Sequence, residues 1–317
     1  MRQCKQYNSV LSDEERAGQW KRLMRRGDFE SAWRISDEVL RKTARETFWH
    51  LPRDRQLVWS GGSLDGKRVL VRCYHGLGDT IQFIRYAQLL KKIAAEVIVW
   101  AQPSLLSLLQ TAAGIDRLLP LHDGAPAVEF DVDVELMELL HVFRSTLLTL
   151  PAGIPYLHVP RSELTDEIKF RVGLVWKAGD WDDGRSIPFE LLRPLGTIEG
   201  VRLIILQKQA PQCGWVQGIG EACGGIDPFA DAQIMQTLDL MISVDTMPVH
   251  LAGALGVTTW NLVPFEADWR WMENRDDSPW YPTMRLFRQS AAGDWTKVID
   301  RVTEELKQAV AHKQNGD

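Results

Sequence analysis

Short, continuously apolar runs separated by amphipathic stretches organise most of the chain. RVLVRCY (68–74) and EVIVWA (96–101) flank the helical stretch TIQFIRYAQLLKKIAA, and DRLLPL (116–121) and EFDVDV (129–134) follow. A Pro-rich crossing, LPAGIPYLHVP at 150–160, leads to a second series: RVGLVW (171–176), VRLIILQ (201–207), LDLMISVD (238–245) and VTTWNLV (257–263). Strands that are apolar throughout and spaced by helices predict a parallel sheet covered on both faces. Two such series in tandem predict an α/β fold of two Rossmann-like lobes, with a ligand cleft between the carboxyl ends of the two sheets.

The N-terminal part has a different period. Trp20, Leu23 and Met24 precede the turn Arg26-Gly27-Asp28, and Phe29, Ala32, Trp33 and Leu40 follow it, which predicts a helical hairpin. LMRRGDFESA resembles one unit of a tetratricopeptide repeat, but no second copy occurs, so the hairpin reads as a cap or docking element. Leu51 to Lys67 reads as a linker. The final WTKVIDRVTEELKQAVAHK carries Val298, Val302, Leu306 and Val310 on one helical stripe. The expected division is a hairpin and linker at 1–64, a first lobe at 65–165, a second lobe at 166–288, and a closing helix at 289–317 that packs back across the lobes.

Composition narrows the function. With 317 residues, 45% hydrophobic and 25% charged, the chain can build two cores. A net charge of -5 offers no basic field for a phosphate backbone, so no nucleic-acid partner is expected. Four cysteines without a CxxC pair indicate neither a disulfide framework nor a zinc knuckle. No apolar run has the length of a signal peptide or a membrane span, so the expected location is the cytoplasm, with a peripheral place at the inner face of the membrane still open. Thirteen Trp serve packing or ring stacking.

Three turns carry candidate chemistry. His75-Gly76-Leu77-Gly78-Asp79-Thr80 lies between a strand and a helix, yet Ile81 stands where a dinucleotide fingerprint needs a third glycine, and Trp100-Ala101-Gln102 supplies no acid for a ribose. What remains is a turn where Gly76 and Gly78 let backbone approach a ligand and Asp79 stands at the cleft lip, as a helix cap or as a general base. In Asp245-Thr246-Met247-Pro248-Val249-His250, Thr246 suits an N-cap and Pro248 the first turn, so the helix would start with open amides that attract an anion. His250 itself reads as a core histidine. Lys177 and Arg185, in the third segment, are cations able to meet negative charge or simply to face solvent. Asp131-Val132-Asp133 spells D-x-D but reads as the polar side of a strand, and no i, i+4 histidine pair suggests a metal. The Trp-, Arg- and Asp-dense segment 264–289 reads mostly as packed loop with paired charges.

Taken together, GLGDTIQFIRY (76–86), VGLVW (172–176), RSIP (185–188), VDTMPVHLAGALG (244–256) and DWRW…DSPWYP (268–282) resemble the heptosyltransferase-like glycosyltransferases. The nearest branch often carries tetratricopeptide repeats. The resemblance spans about residue 55 to 300 and implies a GT-B architecture and inverting transfer from a nucleoside-diphosphate sugar, the co-substrate, without a metal or other cofactor. It also implies a hydroxyl acceptor on a glycan, lipid-linked sugar or protein. By position it makes Asp79 the base and puts Asp245, Thr246, Met247 and the amides of Val249 and His250 at the diphosphate. Arg185 would face the phosphates, and Gln207 and Phe229-Ala230-Asp231 the nucleoside. Gly76, Gly78 and Lys177 complete the expected donor contacts. A non-catalytic scaffold of this shell, or a nucleotide-sugar epimerase, is the alternative; oligomeric state is left open.

Overall fold

The computed structural model describes residues 12–43, 59–162, 169–179, 183–225 and 227–315. Helices α1 (Asp13–Arg25) and α2 (Phe29–Thr43) form the predicted hairpin. Ser12 and Glu15 close a reciprocal capping box at its start, and Gly27, at φ +76, makes the reversal. The hairpin docks through aromatic residues. The Trp33 indole donates to the Ser145 carbonyl at 2.7 Å, and Trp20 meets Trp269 edge-on with ring centroids 5.4 Å apart.

The first sheet contains β1 (Arg68–Arg72), β2 (Glu96–Ala101), β3 (Arg117–Pro120) and β4 (Val132–Glu135), all parallel in the order β3-β2-β1-β4. Its connections contain α3 (Leu77–Phe83), α4 (Ala87–Lys91) and α5 (Leu106–Leu109), with α6 (Leu139–Val142) after β4. Its two faces are unequal. Val69, Val71, Val97 and Val99 join the main core, whereas Leu70, Ile98 and Trp100 bury only against Tyr74, Leu119, Leu121 and Val128, which are strand and loop residues rather than a helix layer.

The second sheet contains β5 (Phe170–Val175), β6 (Val201–Ile205), β7 (Glu221–Ala222), β8 (Leu240–Val244), β9 (Thr259–Val263) and β10 (Met284–Arg288), parallel in the order β10-β9-β8-β5-β6-β7. Helices α7 (Phe189–Leu192), α8 (Pro228–Met235), α9 (Met247–Ala254) and α10 (Thr296–Asn315) complete the lobe. The two strands absent from the predicted set, β7 and β10, are the sheet edges. An edge strand need not be apolar throughout, and in β10 Arg285 and Arg288 interrupt the run.

Two expectations change. The apolar stripe of α10 does not return to the first lobe: Val298, Ile299, Val302, Leu306 and Val310 bury against the second sheet with Val172, Leu203 and Ile242. The supposed linker is anchored in its described part, since Trp59 and Leu64 are buried and the Trp59 indole donates to the Gly62 carbonyl at 3.0 Å; residues 51–58 lie outside the described ones. Among the described residues no helix is long and apolar enough to cross a membrane.

Candidate active site

Two strand–turn–helix elements, one from each lobe, meet at the carboxyl ends of the sheets. β1 runs through His75 and Gly76 into α3, and β8 runs through Asp245 and Thr246 into α9. Their contact is so close that a Cβ on Gly78 would lie 2.9 Å from Cδ2 of His250 and 3.4 Å from Cα of Met247. Gly78 therefore admits the opposite lobe rather than a ligand, contrary to the expectation for it. Gly76 is also engaged, because its N–H donates to Asp79 Oδ2 at 3.0 Å.

Asp79 occupies the first turn of α3, where a carboxylate complements the helix dipole. Its other oxygen, Oδ1, accepts from Arg270 Nη2 at 2.5 Å. Arg270 is buried between the lobes: Nη1 donates to Asp268 Oδ1 at 2.8 Å, Nε donates to Gln82 Oε1 at 2.8 Å, and the guanidinium lies 4.7 Å from the Trp269 ring. Asp79 thus accepts one bond on each oxygen, keeps a lone pair on each, and has a side chain about a quarter exposed, at 26%. Arg270 was hidden in the segment read as packed loop. Trp269, Trp271 and Trp280 do pack there, but the arginine among them bridges 191 residues of sequence to the candidate base.

The open side of this junction is a cavity of about 630 Å³, lined by Leu77 of the first lobe and by Lys177, Gln207, Asp231, Thr246 and Met247 of the second, among others. Thr246 is the N-cap residue of α9, with extended backbone, but its hydroxyl makes no capping bond. The main-chain N–H groups of Thr246 and Met247 have no acceptor among the described residues. Pro248 has no N–H, and the Val249 N–H already donates to the Thr246 carbonyl at 3.0 Å. The start of α9 is accordingly an anion seat built from two amides and a hydroxyl.

The remaining candidates stand behind the cavity or are spent inside it. Gln207 Oε1 accepts from the Trp176 and Lys177 amides at 3.1 and 2.9 Å, bracing the end of β5, so only its Nε2 edge, which donates to the Lys208 carbonyl at 3.2 Å, has spare capacity. Asp231 lines the cavity while its carboxylate accepts from the Gly225 N–H at 2.8 Å. Arg185 is buried and donates to the Asp245 carbonyl at 2.8 Å, which makes it a brace for the anion-binding turn rather than a wall of the cavity. Asp245 is itself buried, and burial with the nearby charge of Asp268 pushes its carboxyl up to about 6. His250 is the core histidine anticipated. Its Nδ1 meets the Tyr281 hydroxyl at 3.0 Å, its ring stacks on Trp271 at 5.4 Å, and burial with the Arg270 charge pushes it down to about 3.

The D-x-D acids are both ion-paired, Asp131 with exposed Arg68 and Asp133 with buried Arg72 at 3.0 Å. Asp133 is therefore buried and not part of a solvated polar face. One further acid that sequence reasoning passed over is Glu135, buried at the carboxyl end of β4 beside His75. It sits in the alternating run of β4, where only the position of its neighbours reveals it as internal.

No family model matches the chain. FlbA of Caulobacter vibrioides is 25% identical over 295 residues, covering 80% of this chain and 48% of FlbA. The chain thus spans about half the length of the curated relative it matches. Among solved structures, a glycosyl transferase family 9 protein from Veillonella parvula has a TM-score of 0.57 at 14% identity, covering 81% of this chain and 99% of that one. The ADP-heptose lipopolysaccharide heptosyltransferase II of E. coli also has a TM-score of 0.57, at 13% identity, covering 78% and 99%. TibC, an iron-containing dodecameric glycosyltransferase of enterotoxigenic E. coli, has a TM-score of 0.53 at 12% identity, covering 80% and 77%. The fold is that of the heptosyltransferase-like GT-B proteins, and in this chain a helical hairpin precedes the two lobes.

Proposed function

We propose that this chain is a cytoplasmic glycosyltransferase that moves a sugar from a nucleoside-diphosphate donor to a hydroxyl acceptor, with inversion and without a metal. The observation that carries this reading is the meeting of the turn that holds Asp79, through Gly78 and Leu77, with the start of α9, where the open amides of Thr246 and Met247 line a cavity that Leu77 also walls. The acceptor oxygen attacks the anomeric carbon from the side opposite the diphosphate, and its proton passes to a free lone pair of Asp79. The bond from the anomeric carbon to the phosphate oxygen breaks, and its electron pair leaves on the nucleoside diphosphate. Fixed amides, the Thr246 hydroxyl and the Lys177 cation stabilise that charge where it develops. The acceptor belongs to a glycan, lipid-linked sugar or protein.

One observation favours the scaffold alternative: both oxygens of Asp79 are already bonded. Two measurements separate the readings. Calorimetry of the full chain with ADP, UDP, GDP and dTDP should find a binder, and the matching sugar nucleotides, ADP-heptose among them, should release diphosphate when acceptors are supplied. Asp79→Asn should cut that turnover by about 10²–10⁴ while nucleoside-diphosphate affinity holds, the usual scale for loss of a general base. Binding with no turnover in the unaltered chain makes the protein a scaffold, and release of altered sugar without an acceptor makes it an epimerase.

A further inference from the structure

Next to the Asp79 turn, and not among the residues that line the donor cavity, is a pair of groups that the transfer step leaves unused. His75 is the residue immediately before Gly76, exposed to solvent, with its carbonyl accepting from Gln102 Nε2 at 2.7 Å. Behind it lies Glu135, more than nine-tenths buried. Glu135 Oε2 accepts from the Met137 N–H at 2.8 Å, but Oε1 is buried without a hydrogen bond and faces His75 Nε2 at 3.5 Å. A buried oxygen with no partner is costly unless it is protonated and finds an acceptor. The ring nitrogen of His75 is the acceptor within reach.

The groups around the pair favour such a shared proton. Glu135 is faced by Asp79 from α3, Arg72 from β1 and Glu138 from the turn after β4, besides His75 and the Cys73 thiol. Burial raises its carboxyl to about 8, and the charges of Glu138 and Asp79 add to the rise against the opposing Arg72.

We propose that His75 and Glu135 form the acceptor-binding dyad of the site, in which protonated Glu135 donates to His75 Nε2 so that Nδ1–H holds the acceptor oxygen. This inference rests on the transferase reading and adds its acceptor side. A hydroxyl that accepts from Nδ1–H keeps its own hydrogen free to point at Asp79, the geometry that base catalysis requires. When Glu135 ionises, Nε2–H donates to it instead, and Nδ1 becomes an acceptor that competes with Asp79 for the same hydrogen. The dyad therefore favours a hydroxyl acceptor below the Glu135 transition and loses hold of it above. His75 touches the acceptor; Glu135 is a positioning residue acting through it.

The arrangement supplies a discriminating variant. In Glu135→Gln the Met137 N–H keeps the carboxamide oxygen in the place of Oε2, so the NH2 group faces His75 and favours the Nδ1–H form across pH 7 to 9. With the sugar nucleotide that the full chain turns over and a panel of methyl glycosides as acceptors, acceptor KM should rise about fivefold to tenfold between pH 7 and pH 9, the scale of one hydrogen bond. In Glu135→Gln it should stay at the pH 7 value throughout, and in His75→Ala it should be raised throughout, with nucleoside-diphosphate affinity unchanged in both. Identical pH profiles in Glu135→Gln and the unaltered chain overturn the proposal, as does a normal acceptor KM in His75→Ala. NMR of 15N-histidine-labelled full chain reads the shared proton without any substrate: ionisation of Glu135 should appear in the His75 ring signals as a step near pH 8 that is lost in Glu135→Gln. Should no donor turn over at all, the transferase reading fails and the acceptor role with it, while persistence of the step near pH 8 in Glu135→Gln removes the dyad alone.

Discussion

The turns that open α3 and α9 share one plan, a parallel strand running through a short polar turn into a helix, and they use it in opposite ways. At α3 the first-turn acid folds back onto the Gly76 N–H and is tied by Arg270, so a carboxylate of the protein itself stands at this helix start with both oxygens engaged. At α9 the N-cap hydroxyl stays unbonded, and two amides open into a cavity. The difference lies in one position of each turn: a carboxylate in the first turn puts the protein's own negative charge at that helix terminus, whereas threonine followed by methionine and proline leaves the terminus without one. One element brings negative charge to the cleft, and the other is shaped to receive it.

The largest effect that would break this contrast comes from Arg270. Replacing it by glutamine leaves the half-buried Asp79 and Asp268 without their shared cation; losing one partner of a fully buried ion pair costs about 3–5 kcal/mol, and the partial exposure of both carboxylates brings this to about 2–3 kcal/mol. Arg270→Gln should lose that much in denaturant unfolding, and adding Asp79→Asn should restore part of it, because the second change removes a stranded charge. If the double variant is no more stable than the single one, Arg270 does not hold α3 through Asp79.

How far these roles could be read along the chain follows from what each residue touches. Strands buried on both faces, such as β1 and β8, announce themselves by unbroken apolar runs, and the two edge strands do not. Asp79 and Thr246 were legible because they belong to local turns whose neighbours in sequence are their neighbours in space. Arg270 was not, since its partner lies 191 residues away and its own surroundings read as ordinary packing. Arg185 was recognised as a cation of the site, but a long side chain can reach either a phosphate or the backbone beneath it, and here it braces the Asp245 carbonyl. Glu135 shares the alternating spelling of β4 with Asp131, yet Asp131 is exposed and Glu135 is buried.

A smaller effect sharpens the contrast through pH. α9 contains His250 held neutral, at about 3 against about 6.5 when unfolded, so the unfolded chain binds a proton there that the native protein refuses. That contribution is present at neutral pH and is lost as pH falls below 6.5, by about 2 kcal/mol between pH 7 and pH 5. Asp245 acts in the other direction, because a carboxyl raised to about 6 makes the native state bind protons more readily than the unfolded chain as pH falls. His250→Gln should therefore shift the difference between the pH 7 and pH 5 unfolding free energies by about 2 kcal/mol in favour of the acid side. A pH dependence matching the unaltered chain would mean that the native protein takes up that proton as readily as the unfolded chain does.

The finest test concerns the hydroxyl that α9 leaves unused. An N-cap threonine ordinarily stabilises its helix by about 1 kcal/mol through a side-chain bond to the first turn, and its removal normally appears as lost stability. Thr246 makes no such bond, so Thr246→Val, which keeps the shape, should leave the unfolding midpoint within about 0.5 kcal/mol of the unaltered chain. What it should lose is a contact to the guest: nucleoside-diphosphate affinity should fall by about threefold to tenfold, the worth of one hydrogen bond, with the two amides still in place. The opposite pairing, lost stability with unchanged affinity, would show that Thr246 caps its helix in solution as Asp79 does at α3, and that the two turns are alike after all.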